Sequence, residues 1–307
     1  ALFADALEAR EMRATFLCVS RLARHEPKLL RRLAARHEIG SHTVDHHVIE
    51  GRPLAEQTKR LAQSKRDLEK LGPTKVTSFR PPEERWDVAS LTAMARAGFR
   101  TLVAGRHPQA LPEITAVDPE NGEAPVRLLR FPRTGPDDFE LFLHGDHNAR
   151  QTSPRLQRAL EQVRRYEGID VVSLHTAILC RPENIRHLLP FLDSIRDAPV
   201  WIPTVTECSD WWLTRAAAEL TIEHVTAHRF RLTLRNPADL SLAASVARVS
   251  LPDNAPSLEV IRSSGDFTAR VEGPDARGVY SLALPEVPAG GAVWVELSSR
   301  ARASAAR

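Results

Sequence analysis

The sequence is poor in cysteine, has no long apolar run and contains no cluster of charge of one sign. Its three cysteines, Cys18, Cys180 and Cys208, are odd in number and lack Cys-x-x-Cys spacing, which argues against a disulfide framework and a cysteine zinc site. No run of about 18 apolar residues occurs, so we expect no membrane span. The first ten residues mix acids and an arginine into an apolar pattern, unlike a signal peptide, and we expect a cytoplasmic protein.

Charge and length narrow the class of protein further. The net charge is only +3, and the basic residues are scattered rather than gathered on one segment, so we expect no nucleic-acid partner. A chain of 307 residues and 34.2 kDa has room for a large domain and a smaller one. Its 42% hydrophobic and 26% charged residues are typical of a globular protein.

The first two thirds of the chain alternate between strand and helix patterns. Apolar runs predict strands at residues 14–19, 38–40, 76–79, 100–103, 126–131, 139–143, 171–174 and 200–202. Amphipathic patterns predict helices at residues 3–12, 26–36, 53–71, 88–97, 154–166, 182–195 and 206–218. This alternation indicates an α/β domain with a parallel sheet, which we assign to residues 1–218.

After residue 218 the helix patterns stop and short alternating segments follow, separated by turn residues. Such spacing predicts a small all-β sandwich domain, which we assign to residues 219–300. We expect residues 301–307 to form a disordered tail. The β-domain could bind carbohydrate or serve as an oligomer contact, and its sequence does not choose between them.

A histidine-rich segment follows the predicted strand at 38–40. On a helical turn the spacing of His42 and His46 puts both rings on one face, close enough to share a metal ion. Imidazole suits zinc and similar divalent metals. His47 could replace His46, but adjacent side chains on a helical turn point apart.

Two further polar residues follow predicted strands. Arg80 follows the strand at 76–79, and His175 follows the strand at 171–174. Because the carboxyl ends of parallel strands meet at one face, we expect both residues to lie near His42. Metal-assisted hydrolysis fits this set: a bound ion would activate water, His175 would protonate the leaving group, and Arg80 would hold a carboxylate.

Three segments resemble motifs of the polysaccharide deacetylases, the NodB-homology or carbohydrate esterase family 4-like enzymes. Residues 40–46, Gly-Ser-His-Thr-Val-Asp-His, resemble the metal-binding histidine motif. Residues 79–82, Phe-Arg-Pro-Pro, resemble the Arg-Pro-Pro motif, and residues 172–175, Val-Ser-Leu-His, resemble the late strand that bears the catalytic histidine. Their order and rough spacing fit the family over residues 1 to about 215.

The resemblance implies a fold and a set of roles. The fold would be a distorted (β/α) barrel of the NodB-homology type, acting on a sugar or polysaccharide. Metal ligands would be His42 and His46, with zinc, cobalt, manganese or nickel as the divalent metal. Arg80 would orient the base, His175 would be the general acid, and Leu174, with Pro82 of the Arg-Pro-Pro motif, would line the substrate site.

The sequence departs from the family pattern at three places. The Asp-Asp pair that supplies the base and a third metal ligand is absent, and we expect the chain to be truncated at its N-terminus or to have lost the base. Glu83 stands where the family has an aromatic residue. The Asp-Trp motif has no clear counterpart, and the loop that carries Asp137, Asp138, His144, Asp146 and His147 occupies its region.

Other readings of the sequence stay open. The chain could be a glycan-binding homologue without catalysis, or an amidohydrolase or deformylase that acts on a small non-polysaccharide substrate. His144, Asp146 and His147 have metal-like spacing, but we interpret them as a solvated loop. Trp211 and Trp212 indicate packing rather than a sugar platform.

Overall fold

The computed structural model describes residues 1–106, 111–142, 149–166, 168–251 and 257–300. It divides into two compact units, Ala1–Ser209 and Asp210–Arg307. Among the described residues no helix is long and apolar enough to cross a membrane. The predicted tail at 301–307 and the residues His144, Asp146 and His147 lie outside the described residues.

The first unit alternates between helices and strands along the chain. Its helices are α1 Leu2–Glu8, α2 Ser20–His25, α3 Pro27–Ala34, α4 Leu54–Leu71, α5 Val88–Arg96, α6 Asp138–Phe142, α7 Thr152–Arg165, α8 Leu189–Arg196 and α9 Val205–Ala217, of which α9 extends past the division between the units. Its strands are β1 Thr15–Cys18, β2 Glu38–Ser41, β3 Ser78–Phe79, β4 Thr101–Arg106, β5 Glu113–Val117 and β6 Val126–Arg133.

These six strands form one sheet in the order β1-β2-β3-β4-β6-β5, parallel except for β5 at the edge. The mixed α/β architecture predicted from the alternation is therefore present. In the described part of the chain the strands form an open row, so closure into a barrel stays a prediction. Gly40 in β2 permits the close spacing, because a Cβ there would collide with the side chains of Leu17 and Ser78 on the neighbouring strands.

Two apolar clusters hold the first unit together. One joins the sheet to α3, α4 and α5 through fully or nearly buried residues such as Ile39, Leu61, Phe79, Met94 and Leu102. The other is built from α1, α7, α8 and the segments around Leu141 and Leu179. Burying one large aliphatic or aromatic side chain contributes about 1.5–3 kcal/mol, so these clusters fix the strands whose ends carry the polar residues.

Three predicted strands of the first unit are not strands. Residues 139–143 read as a short apolar strand, but Asp138–Phe142 form α6, because the Asp137 carboxylate accepts a hydrogen bond from the Glu140 amide at 3.0 Å and caps a helix. Residues 171–174 and 200–202 have no regular secondary structure and no ladder partner among the described strands. A short apolar run does not decide between strand and buried loop, since a neighbour must pair with it.

The second unit contains two antiparallel sheets. Its strands are β7 Glu219–Thr226, β8 Arg229–Arg235, β9 Ser245–Ser250, β10 Ser257–Ser263, β11 Arg270–Glu272, β12 Val279–Leu284 and β13 Ala292–Arg300. The sheet orders are β10-β13-β8-β7 and β11-β12-β9. Both sheets contribute to one apolar core that includes Leu232, Leu282 and Val295, which is the arrangement of a small β-sandwich.

Candidate active site

The carboxyl edge of the parallel sheet carries the histidine-rich segment. Directly after β2, the His42 amide donates to the Cys18 carbonyl at 2.8 Å and so extends the β1–β2 pairing by one bond. Thr43 and His46 then adopt left-handed backbone conformations, with φ of 65° and 64°. The turn is therefore tighter than the predicted helical turn, and the buried Thr43 hydroxyl closes it by accepting from the His46 amide at 3.0 Å. As a result the His42 and His46 rings lie 4.8 Å apart.

The protonation of His42 follows from its surroundings. Its Nδ1 lies 2.7 Å from the Arg80 carbonyl oxygen, which can only accept, so the ring proton is on Nδ1 and the Nε2 lone pair is free. Burial lowers the pKa of His42 to about 4, opposed by the Arg80 carbonyl and assisted by the charges of His46, Arg80 and His175. His42 is thus a neutral imidazole at neutral pH, the form that binds a metal ion.

This geometry tests the predicted metal site. The free Nε2 of His42 and the adjacent, exposed His46 ring fit two ligand positions. Among the described residues no group of three His, Cys, Asp or Glu residues comes close enough to hold an ion. His42 and His46 therefore fit two coordination positions of a divalent metal ion such as zinc. The remaining coordination positions would need ligands other than these two histidines.

His175 is held by one buried carboxylate. Its Nδ1 lies 2.6 Å from Asp138 Oδ1, and its backbone amide donates to Asp138 Oδ2 at 2.7 Å. The Leu179 amide donates to the same Oδ2 at 3.3 Å, and Asp138 is 0% exposed. The edge of the Phe139 ring packs against the imidazole at 4.4 Å between centroids. Because the Nδ1–H group of the one-third exposed His175 donates to Asp138, Nε2 is the ring nitrogen that remains for other contacts.

Arg80 has two separate contacts in the site. Its backbone carbonyl orients His42, while its buried guanidinium donates to Glu84 Oε1 at 2.6 Å. Glu84 also accepts from Arg133 Nε at 2.6 Å, and Arg133 Nη1 lies 3.2 Å from Asp137 Oδ2. Burial and the neighbouring Arg133 lower the pKa of Arg80, whereas the Glu84 carboxylate opposes that shift. The carboxylate that Arg80 holds in the described structure is therefore Glu84.

The turn after Arg80 explains how Glu84 reaches both arginines. Pro82 is buried and begins a short 3₁₀ turn, in which Glu83 and Glu84 have φ of 57° and 56°. Two successive non-glycine residues in the left-handed region cost on the order of 1 kcal/mol each. The two strong charge-assisted bonds of Glu84 offset that strain. Pro82 thus shapes the turn, and Leu174 packs against the apolar cluster around Leu179.

Sequence reasoning missed Asp138, Glu84 and Arg133. Asp138 stands 37 residues before its histidine, in a segment that was read as a loop and a strand. The sequence feature that could have identified Asp138 is the position of Asp137-Asp138-Phe139 shortly after β6. The family that the motifs resemble has its Asp-Trp motif in this region. Trp211 and Trp212 pack edge to face at 5.3 Å with the Arg215 guanidinium over both rings, and their assignment to packing stays a prediction.

Comparison with known proteins supports the resemblance that the motifs carry. Residues 2–102 match the family model for polysaccharide deacetylase, so the resemblance is confirmed for that part of the chain. No curated protein matches the sequence.

Three solved structures share the fold at low sequence identity. A putative polysaccharide deacetylase from Mycobacterium smegmatis is 18% identical with a TM-score of 0.62, covering 72% of this chain and 79% of that one. A Puue allantoinase is 17% identical with a TM-score of 0.59, covering 68% and 70%. A probable polysaccharide deacetylase from Pseudomonas aeruginosa PAO1 is 20% identical with a TM-score of 0.58, covering 68% and 71%. At these identities the likeness establishes the fold alone.

Proposed function

We propose, starting from the polysaccharide deacetylase family that residues 2–102 match, that the protein is a metal-dependent hydrolase that removes an acyl group, most simply N-acetyl, from a sugar or polysaccharide. One observation carries the proposal: a histidine held by a buried aspartate stands at the same sheet edge as the adjacent imidazoles of His42 and His46. General-acid chemistry and metal binding are thereby available together.

The general acid is His175. Asp138 fixes the Nδ1 proton, so the proton given to a leaving amine comes from Nε2. The Asp138 carboxylate stabilises the imidazolium that precedes this transfer, because it is fully buried and within 2.6 Å of Nδ1. Such a positioned acid contributes about 10²–10⁴-fold to the rate.

His42 and His46 would hold the divalent ion, which would polarise the acyl carbonyl and lower the pKa of bound water. The Arg80 carbonyl keeps the proton of His42 on Nδ1 and so keeps Nε2 available. Glu84 accepts from both Arg80 and Arg133, so each of these buried guanidiniums has an ion-pair partner. A distorted barrel, a cytoplasmic location and oligomerisation through the β-domain are part of the same proposal.

Metal content tests the ligand assignment. The full chain incubated with zinc, then freed of excess metal, should retain the ion, and His42→Ala and His46→Ala should lose it. His47→Ala is the matched control, because His47 is exposed, adjacent in sequence and bonded to Asp45 at 3.0 Å. Equal metal content in all four proteins would contradict the assignment.

Acetate release from an N-acetylated oligosaccharide tests the reaction. His175→Gln should lower the rate by about 10²–10⁴-fold while the metal content stays unchanged. A specific observation favours a second candidate, a glycan-binding protein without catalysis: the described residues offer two metal ligands but no third. Oligosaccharide binding without acetate release would select that candidate. Ureide hydrolysis without acetate release would instead select an amidohydrolase. This candidate is included because an allantoinase shares the fold.

A further inference from the structure

A cleft of about 470 Å³ lies beside α6 in the first unit. Arg106 at the end of β4 lines it from one side, and α7 contributes Arg155 and Arg158. The opposite wall is the segment from Thr134 to Pro136, which joins β6 to α6, together with Glu140. The volume is that of a pocket for a small ligand or one or two sugar units.

The balance of charge in this cleft favours an anion. Arg106 is paired with Glu140, but in the part of the chain that the structure describes no carboxylate pairs with Arg155 or Arg158. Asp170, near Gly135, accepts a hydrogen bond from the Thr134 hydroxyl at 2.7 Å, and burial raises its pKa. Two exposed guanidiniums on one face of α7 are therefore available to a ligand.

The cleft is connected to the candidate active site by ion pairs. Glu140, which binds Arg106 in the cleft, also lies 3.9 Å from Arg133 Nη1. Arg133 binds Glu84, and Glu84 binds Arg80. Glu140 is moreover on the same short helix as Asp138, which holds His175. A ligand in the cleft would therefore lie next to the elements that carry the general acid.

We propose that this cleft binds the anionic group of an acidic saccharide, such as a uronate carboxylate, while the acyl group to be removed lies at His175. The inference rests on the proposed function and names its substrate class. Arg155 and Arg158 present planar guanidiniums that match a carboxylate with paired hydrogen bonds. Because Arg155 and Arg158 have no carboxylate partner among the described residues, no ion pair within the protein has to break when such a ligand binds.

Binding measured by calorimetry on the full chain tests the inference without any need for hydrolysis. The probes are a uronate-containing oligosaccharide, a neutral oligosaccharide of the same length and inorganic phosphate. The double variant Arg155→Gln/Arg158→Gln should weaken binding of the acidic oligosaccharide by about tenfold or more, since each charge-assisted bond is strong. The matched control is Arg36→Gln/Arg66→Gln, which removes two exposed arginines outside the cleft and should leave the affinity unchanged.

Each other result overturns the inference. Equal affinity for the acidic and neutral oligosaccharides would remove the role of charge, and equal weakening in both double variants would remove the role of the cleft. Phosphate that binds as tightly as the oligosaccharide would remove the assignment to a saccharide. Failure of the proposed function is separate: a chain that binds the acidic oligosaccharide through Arg155 and Arg158 but releases no acyl group keeps the cleft and loses the reaction.

Discussion

The two edges of the parallel sheet each hold a carboxylate whose hydrogen bonds are made inside the protein, but of these two carboxylates only Asp138 holds an imidazole. At the amino edge Glu38 accepts from the hydroxyls of Thr15, Ser78 and Thr206 and from the Thr206 amide, at 2.6–2.9 Å. At the carboxyl edge Asp138 accepts from two backbone amides and from the His175 ring.

Glu38 and Asp138 differ in the groups that donate hydrogen bonds to them. The partners of Glu38 are neutral and end in further protein contacts, such as the Thr77 hydroxyl at 2.8 Å from that of Thr206. The imidazole that Asp138 holds is one-third exposed and has a second nitrogen for a substrate. Under the proposed function Glu38 is therefore a structural group and Asp138 a positioning group, although both carboxylates have their hydrogen bonds satisfied.

The largest expected effect comes from Asp138→Asn. This change keeps the shape but removes the charge that stabilises the His175 imidazolium, so kcat for acyl release should fall on the order of 10²–10⁴-fold. A variant with unchanged kcat would show that Asp138 is no different from Glu38.

A smaller effect, on stability alone, is expected from Glu38→Gln. The amide cannot accept all four bonds, so the free energy of unfolding should fall by about 1–3 kcal/mol, measured by chemical denaturation. Metal content and kcat should stay as in the parent. Glu123→Gln, an exposed substitution of the same kind, is the control and should change neither quantity. If Glu38→Gln lost much of its kcat while its stability stayed unchanged, Glu38 would not be a purely structural group, and the difference between the two edges would be contradicted.

The smallest effect concerns a carboxylate that is structural although it lies at the carboxyl edge. Asp87 caps α5, accepting from the Ser90 amide at 2.8 Å and the Gly51 amide at 2.7 Å. Burial alone would raise the pKa of Asp87, but these bonds outweigh it and lower the pKa below its ordinary value. Asp87→Ala should therefore cost about 0.5–2 kcal/mol at neutral pH.

The sign of the pH dependence follows from the lowered pKa. The stabilisation by Asp87 is fully present above the ordinary pKa of an aspartate and is lost as the pH falls through the lower, folded-state value. The stability difference between the parent and Asp87→Ala should shrink over that acid range. Denaturation curves at neutral and acid pH measure it, and a difference that grows on acidification would contradict the assignment.

The sequence predicts the framework of the first unit well and its later part poorly. Strands β1 and β4 are largely apolar runs that follow helices, and each pairs with at least one parallel neighbour. Residues 171–174 have the same apolar texture, yet the backbone of His175 bonds to Asp138 instead of to a strand. A run of apolar residues indicates that a segment is buried. Strand formation also needs a neighbouring strand, which only the tertiary structure supplies.

The candidate site shows the same division. His42, His46 and Arg80 are readable because they follow predicted strands within short motifs. Asp138 and Arg133 act through contacts across 37 and 49 residues of sequence, which no local pattern predicts, whereas Glu84 lies only four residues after Arg80. The edge strand β5 and the exposed strand β7 were missed for a related reason, since neither is an apolar run with a buried face.

The bond between Asp138 and His175 also gives the site a spectroscopic label. Its proton lies between Nδ1 and Oδ1 atoms 2.6 Å apart, on a carboxylate with no exposed surface. A proton so placed is shielded from exchange with water and strongly deshielded magnetically, so it should appear as a separate resonance at the low-field end of the proton NMR spectrum. The hydrogen bond between Asp138 and His175 could then be observed in the resting protein, without a substrate.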